Sequence, residues 1–442
     1  MSHHTAPKVI RGSHLCAVMS GRNISSARTS GGVPVVVENV PGARSAGCMI
    51  AVATGSRDES PEIRGISHLL EHTVFRATPT RNSYQMAKEM EGAGGEMNAF
   101  TGREMTAFYG ITISETADVA KDLIGDIVVN CTLSEEDTEL EKKIVLQELS
   151  MIRNEPDSYI HDLFETTLWR GHPLGQDEGG DEELVAGMTS DDLRGYYEDR
   201  YRIPNFGVYC EGSIGLDEAV EWAEEVLDPR GGGRRNPRSA PPTPVAEYTF
   251  VKNDSEHCHV AMGLPAYGAS DERRIPAMML SAVLGSGTSS RLFQAVREEK
   301  ALVYSVYNTI AQCSDASSFA TYMSCTDDNV IEAMETVVRV YSGLLKEGLE
   351  KGELDRAKRL LKGANVRSME STESRMYRLA VNHMLDGSTG GLEERLERID
   401  AVTEEQVMAV AEDILRSGRL NTVVLGKGNR KIKGFDRSCL DF

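Results

Sequence analysis

The sequence predicts an α+β protein made of two similar layered domains. Strand-like apolar runs cluster rather than alternate one for one with helical runs, which favours layered α+β domains over a doubly wound parallel sheet. The two halves of the chain resemble each other at a nearly fixed offset. Between them lies "DPRGGGRRNPRSAPPTP", Asp228 to Pro244. Glycine and proline at that density sustain neither a helix nor a central strand, so this stretch reads as an interdomain linker, part flexible and part extended. The resulting division is an N-terminal extension over 1–29, a first domain over 30–227, the linker over 228–245, a second domain over 246–428 and a tail over 429–442.

The repeat is visible at both ends of the unit. In the first half the strand "GCMIAVATG" leads into "GSRDE" and a helix; in the second, "HVAMGLPAYG" leads into "GASDE" and a helix. Gly55 pairs with Gly268, Asp58 with Asp271 and Glu59 with Glu272 at an offset of 213. Later, "MTSDDLRGYYEDRY" matches "VTEEQVMAVAEDIL", with Thr189 on Thr403 and Glu198 on Glu412 at an offset of 214. Closing strands "NFGVYCEG" and "NTVVLGKG" follow. Matching offsets so far apart indicate a duplicated unit. Each copy runs strand, strand, helix, strands, long helices and a last strand. One long helix carries an apolar stripe at Leu140, Ile144, Leu149 and Ile152, with Ser134 and Asp137 placed to cap its start and Pro156 beyond its end.

Composition narrows the function classes. The chain has 442 residues, 40% hydrophobic and 26% charged, as in folded globular proteins. Its apolar runs, such as "VPVVV", fall far short of the roughly 20 residues that cross a bilayer. A net charge of −20 repels phosphate backbones and argues against general nucleic-acid binding. The eight cysteines form no C-x-x-C pair and read as reduced, mostly buried thiols of a cytoplasmic protein. Residues 1–37 lack Asp and Glu but carry Lys8, Arg11, Arg22 and Arg28. That suits a targeting peptide, so a mitochondrial matrix location is the alternative if residues 1–29 are one, although the segment has no clear apolar face. The tail "KGNRKIKGFDRSCLDF" is expected to lie loosely on the surface.

The chemistry concentrates in "GISHLLEHTVF". On a helix His68 and His72, four residues apart, lie one turn apart on one face and can offer both imidazoles to one metal ion. Glu71 sits beside them, where it can take a proton from a water activated by that metal. This is H-x-x-E-H, the reverse of H-E-x-x-H. The plain alternative is a surface helix with two histidines. A catalytic zinc takes about three protein ligands, so a third must come from elsewhere. In "ELEKKIVLQELSMIRNEPD", Glu141 and Glu148 lie seven residues apart, two turns along one helix face. Glu148 falls in the apolar stretch "IVLQELSMI", where a carboxylate is costly unless it meets a cation. Glu141 can orient a ligating histidine through its second ring nitrogen.

Taken together, "GSRDE", "GISHLLEHTVF", "GGEMNAFTGRE" and "VLQELSMIRNEPDSYIHDLF" resemble the pitrilysin/insulinase family of zinc peptidases, over about residues 30–428. Size and duplication are similar to its branch of chains near 45 kDa, which includes bacterial and archaeal peptidases and the mitochondrial processing peptidase subunits. The resemblance implies the fold of that branch, one zinc ion per chain on His68, His72 and Glu148, Glu71 as general base, and a part for Glu141. It implies that Asn98, Ala99 and Phe100, within "NAFT", form a substrate-pairing strand, with Asn98 holding a peptide carbonyl. The bland reading of Asn98 is a turn residue in a glycine-rich loop.

The second half contributes differently. By the offsets, His68, Glu71 and His72 correspond to Ser281, Leu284 and Gly285, and Glu148 to Lys362, so this copy is expected to hold no zinc. It does contain Arg297 and Tyr304, spaced like a family pair. Arg297 can clamp a peptide carbonyl or carboxylate, and Tyr304 can donate to the oxyanion that forms during cleavage. "EHCH", with His257, Cys258 and His259 on a strand, is a rival metal cluster without a third ligand and reads as structural. The family's departure here is "HTVFRAT", where members often carry a bulky residue and Lys-Gly; altered packing or specificity is the expected effect. The resemblance implies a zinc endopeptidase acting on peptides or unfolded segments inside a clamshell of two chains, a homodimer or a heterodimer with a family member. The alternative is a non-catalytic scaffold or a subunit that needs a homologous partner.

Overall fold

The computed structural model describes residues 23–235 and 237–442. Of the expected N-terminal extension, residues 1–22, and with them the core of the targeting-peptide expectation, lie outside the described residues. Its last part is not an extension: Asn23–Arg28 pairs antiparallel with the next strand along its whole length.

The first half runs β1 (Asn23–Arg28), β2 (Pro34–Asn39), β3 (Ser45–Val52), α1 (Ile66–Val74), α2 (Ser83–Gly92), β4 (Glu96–Thr101), β5 (Thr106–Ile113), α3 (Ala117–Asn130), α4 (Glu135–Arg153), α5 (Pro156–Leu168), α6 (Glu182–Gly187), α7 (Ser190–Arg200), β6 (Phe206–Gly212) and α8 (Leu216–Leu227). The second runs β7 (Tyr248–Lys252), β8 (Cys258–Tyr267), α9 (Arg274–Gly285), a π-helical turn (Phe293–Glu298), β9 (Val303–Gln312), β10 (Ala316–Cys325), α10 (Val330–Glu347), α11 (Glu353–Ser368), α12 (Thr372–Asp386), α13 (Leu392–Asp400), α14 (Glu404–Ile414) and β11 (Asn421–Gly426). Among these helices none is long and apolar enough to cross a membrane.

The two sheets share a topology. Their orders are β1-β2-β6-β3-β5-β4 and β7-β11-β8-β10-β9. In each, one pair is parallel, β2 with β6 and β7 with β11, and the other repeated pairs are antiparallel. The first sheet adds β1 at its edge. The second-half hairpin ends in the exposed edge strand β9, as the first ends in β4.

Each sheet is buried on both faces, which explains the unbroken apolar run "VPVVV". In β2, Val35 and Val37 face the first half's own helices, whereas Val36 faces the other side. That other side is covered by the opposite half. Met376, Leu379 and Ala380 of α12 pack on Val36, Met49, Ala51 and Tyr209 of the first sheet. Reciprocally, Ile160, Phe164 and Leu168 of α5 pack on Ala261, Ala320, Val423 and Leu425 of the second. Exchange of these helices fixes the two sheets relative to each other by apolar burial.

Ion pairs close the seam. Arg57, from "GSRDE", meets Glu104 at 2.5 Å and Asp315 at 2.6 Å, and donates to the Ser239 carbonyl at 2.7 Å. Arg238 forks onto Asp58 at 3.0 and 2.7 Å. The latter part of the linker is thus pinned rather than flexible. Two other expectations need correction. On α4 the buried face is Thr138, Glu141, Lys142, Val145 and Leu149, whereas Leu140 and Ile144 are 39% and 43% exposed. The helix rotates this way because its polar residues face the site and α1. Ser134 does cap it, accepting from the Asp137 N–H at 3.1 Å. The tail is not loose either: Ile432 and Leu440 are fully buried in the second core, because Phe435 and Phe442 pack there with them.

Arg57 and Glu104 side chains are 1% and 3% exposed. Removing Arg57 takes the nearest cation from the buried Glu104 carboxylate and leaves it only the longer Arg238 contact at 3.4 Å, so Arg57→Ala is expected to lower stability by about 3 kcal/mol. Urea unfolding measures it, and an unchanged midpoint would contradict the clasp.

Candidate metal centre

The helix that carries the histidines is held at its start by chemistry local to the sequence. Gly65 precedes α1 with φ 97°, a left-handed conformation that suits glycine. An added Cβ there would also come 2.8 Å from the Gly179 carbonyl oxygen. The Glu59 carboxylate accepts the N–H groups of Gly65 and Ser67, each at 2.8 Å, and so caps the helix N-terminus. Burial pushes that carboxyl up to about 7, against the pull of the two backbone donors. Ile66, Leu69, Leu70, Thr73 and Val74 bury one face of α1. The face left over presents His68, Glu71 and His72.

α4 packs alongside α1 through Val145 and Leu149 and brings Glu148 opposite the histidines. Glu148 Oε2 lies 3.4 Å from His72 Nε2 and 3.8 Å from His68 Nε2. Ligand atoms of His68, His72 and Glu148 all fall within 4.8 Å of one another, the group of this kind found among the described residues. Two turns earlier on α4, Glu141 Oε2 lies 3.2 Å from His72 Nδ1, and its Oε1 lies 3.5 Å from Arg76 Nη1. With its proton on Nδ1, His72 donates to Glu141 and turns the Nε2 lone pair toward Glu148.

The electrostatics suit a cation. Burial, with the neighbouring His72 as a smaller effect, lowers His68 to about 4, so its imidazole is neutral. Burial also works against a charged His72, but the Glu141 hydrogen bond and the Glu71 and Glu148 carboxylates outweigh it and raise its pKa. Two imidazole nitrogens and carboxylate oxygens that converge on one point favour a positive charge there, which a proton on His72 or a metal ion supplies. Bonds of about 2.0–2.1 Å in a tetrahedron place ligand atoms about 3.4 Å apart, which the spacing of Glu148 from both rings approaches. The donor set therefore fits a zinc-like dication. The Glu148 side chain is 44% exposed and lines the cavity over the histidines, whereas Glu141, at 6%, is buried.

Glu71 lies on the same face. Thr101 Oγ1 donates to its Oε2 at 2.6 Å. Burial raises the Glu71 pKa, the Glu148 charge adds to the rise, and Thr101 and His72 oppose it. A cavity of about 580 Å³ opens over these groups, lined also by Phe75, Arg76, Asn98, Ala99 and Phe100. Asn98 is within β4, not in a turn, and its Oδ1 accepts the Ala99 N–H at 2.9 Å.

Arg297 and Tyr304 are not brought to this cavity within the chain. The Arg297 guanidinium sits 4.8 Å from the Phe293 ring centre and 5.9 Å from that of Tyr304, which is 76% exposed. His257 stands just before β8, and His259 pairs with Asp157 at 2.8 Å, a contact between α5 and the second sheet. In the second copy Ser281, Leu284 and Gly285 lie on α9 and Lys362 binds Asp400 at 2.6 Å. Thr101 and Arg76 escaped the sequence reading. Arg76 lies two residues beyond the end of α1, in the turn that follows, so helical spacing from His72 does not place it; Thr101 touches Glu71 only through the register of β4.

Two family models cover most of the chain: insulinase (peptidase family M16) over residues 34–181 and the peptidase M16 inactive domain over 187–361. An uncharacterized zinc protease of Mycobacterium leprae is 34% identical over 92% of this chain and 93% of its own length. The uncharacterized zinc protease YmxG of Bacillus subtilis is 32% identical over 90% and 97%. Among solved structures, a protease from Helicobacter pylori superposes with a TM-score of 0.84 at 20% identity, covering 92% of this chain and 99% of that one. A peptidase M16 inactive domain from Pseudomonas fluorescens gives 0.85 at 19%, with 92% and 98% covered. Fold, motif helix and long-range sequence similarity agree: the chain belongs to the insulinase family of M16 peptidases.

Proposed function

We propose that this protein is a zinc-dependent endopeptidase that cleaves peptides or unfolded segments. The observation that carries the reading is the convergence of His68 Nε2, His72 Nε2 and a Glu148 oxygen beside Glu71. A dication held by these three side chains supplies Lewis acidity toward a carbonyl and a water. The remaining work falls to the chain. Glu141 fixes the His72 ring and its tautomer. Thr101 holds one Glu71 oxygen and leaves the other to take a proton from the attacking water. Desolvation raises the proton affinity of that carboxylate, as a general base requires, and the same group returns the proton to the leaving amine. β4 is an edge strand, paired among the described residues with β5 alone, so its free backbone groups can align an extended peptide beside Glu71. Asn98 takes a substrate carbonyl in this reading.

Arg297 and Tyr304 are assigned to the substrate as clamp and oxyanion donor. The high exposure of Tyr304 leaves its hydroxyl open to a peptide. Two copies of the chain would enclose a chamber between their sheets, admitting unfolded segments and excluding folded proteins.

Glu71→Gln should retain zinc by elemental analysis and lose at least about a hundredfold in turnover of a quenched peptide, whereas His68→Ala should lose both. Ordinary turnover by Glu71→Gln would remove the general base and, with it, this mechanism. Glu141→Gln is expected to weaken zinc binding by about 10- to 100-fold in chelator competition. Light scattering should report a dimer; full activity from a strict monomer would rule out the chamber.

A further inference from the structure

The cavity over His68, Glu71 and His72 adjoins a larger one. Phe100 and Thr101 line both. The larger cavity, about 920 Å³, lies between the β4–β5 hairpin, α5, the β9–β10 turn, α12 and α13. Part of its wall is aromatic, with the Phe100 and Tyr377 rings 5.1 Å apart.

Another part is cationic. Gln312, Asn382 and Arg395 line the large cavity and also a small side pocket of about 50 Å³, to which Arg274 and Arg398 contribute. Two arginines in this neighbourhood are neutralised: Arg274 by Asp386 at 2.7 Å and Arg378 by Glu38 at 2.8 Å. Arg395 and Arg398 make no side-chain hydrogen bond or ion pair among the described residues. Residues 1–22 contain no Asp or Glu, and residue 236 is an asparagine, so the rest of the chain has no carboxylate side chain to offer them. Glu394 is the one acid on the rim of the side pocket and pairs with neither. Burial, reinforced by Arg274, Arg378 and Arg398 and offset only in part by the Asp386 charge, which Arg274 already pairs, lowers the proton affinity of the Arg395 guanidinium. The side-chain amides of Gln312 and Asn382 are likewise without partners among the described residues, and each has N–H groups to donate.

In a chain of net charge −20, unpaired guanidinium groups facing an enclosed space are a local reversal of sign. Half-buried cations without counter-ions are costly, and the cost is relieved when an anion enters. A planar fork with flanking amide donors matches a carboxylate, and the side pocket is of carboxylate size. Resting on the peptidase reading above, we propose that this pocket binds a carboxylate of the substrate peptide, its C-terminal group or an Asp or Glu side chain. Arg395 is the clamp, Gln312 and Asn382 are supporting donors, and the peptide runs from β4 through the shared cavity. Arg395 is then a specificity-determining residue at a distance from the bond that is cut.

The test uses full-length Glu71→Gln protein loaded with zinc, so that binding is read without cleavage. Fluorescence polarisation compares one labelled peptide in four forms, with a free or amidated C-terminus and with Glu or Gln at an internal position. A carboxylate-bearing form should bind about tenfold more tightly than the fully neutral form, and Arg395→Gln should remove the difference. Loss of the preference on amidation alone assigns the terminus; loss on Glu-to-Gln exchange alone assigns the side chain. Equal binding of all four forms, or a preference that survives Arg395→Gln, overturns the proposal. If Arg395→Gln does not fold, the four-peptide comparison on the unaltered pocket still decides. Hydrolysis by the Glu71→Gln chain would count against the peptidase mechanism instead, and the binding comparison would stand apart from it.

Discussion

The register of α4 against α1 is the constraint on which the rest of the site depends. Two imidazoles on one helix are ordinary; what makes them a candidate metal centre is a carboxylate delivered from a second helix 76 residues later. That delivery is set by packing. Val145 and Leu149 seat α4 in the first core, and Glu141, buried between His72 and Arg76, acts as a polar pin at the same seam. A slip of one residue on α4 would turn Glu148 away by about 100° and leave Glu141 buried without a partner. Ligand geometry and helix packing are therefore one problem, solved together.

Around this seam the two halves are built into each other. α5 follows α4 directly and covers the second sheet, while α12 covers the first. Any motion that separated the halves would expose both faces to water. The clasp of Arg57, Glu104, Asp315 and Arg238 sits where "GSRDE", the β4–β5 turn, the linker and the β9–β10 turn meet. "GSRDE" thus serves two ends: Arg57 and Asp58 tie the halves together, and Glu59 caps the helix that carries His68 and His72.

The duplication shows how one fold carries a site in one copy and not in the other. Sheet registers place Asn308 in the second hairpin where Asn98 stands in the first. Gly285, the counterpart of His72, packs so closely on Asn308 that an added Cβ would lie 2.2 Å from its backbone nitrogen. Helix and strand are in close contact at the position where, in the first copy, the cavity opens over His68, Glu71 and His72. Lys362, the counterpart of Glu148, has turned to Asp400. The second sheet keeps an exposed edge strand without the metal-binding residues beside it.

Much of this was legible in the sequence because the signals are local or repeated. H-x-x-E-H on a helix, the capping serine of α4, the glycine- and proline-rich divide and the offset of 213 to 214 each depend on neighbours along the chain or on simple self-comparison. The burial of α4 was misread, since a stripe of Leu140 and Ile144 looks like a core face until α1 and the cavity claim the polar side. The tail was misread as loose, because two buried aliphatic residues among basic ones give no periodic signal. Thr101 on Glu71, the helix exchange, the clasp and the unpaired Arg395 arise from contacts between residues tens to hundreds of positions apart. The sequence by itself determined the fold class, the repeat and which side chains could bind a metal. Only the tertiary structure decided which of them meet, because the register of packed helices and strands is settled by the fit of whole surfaces and not by spacing along the chain.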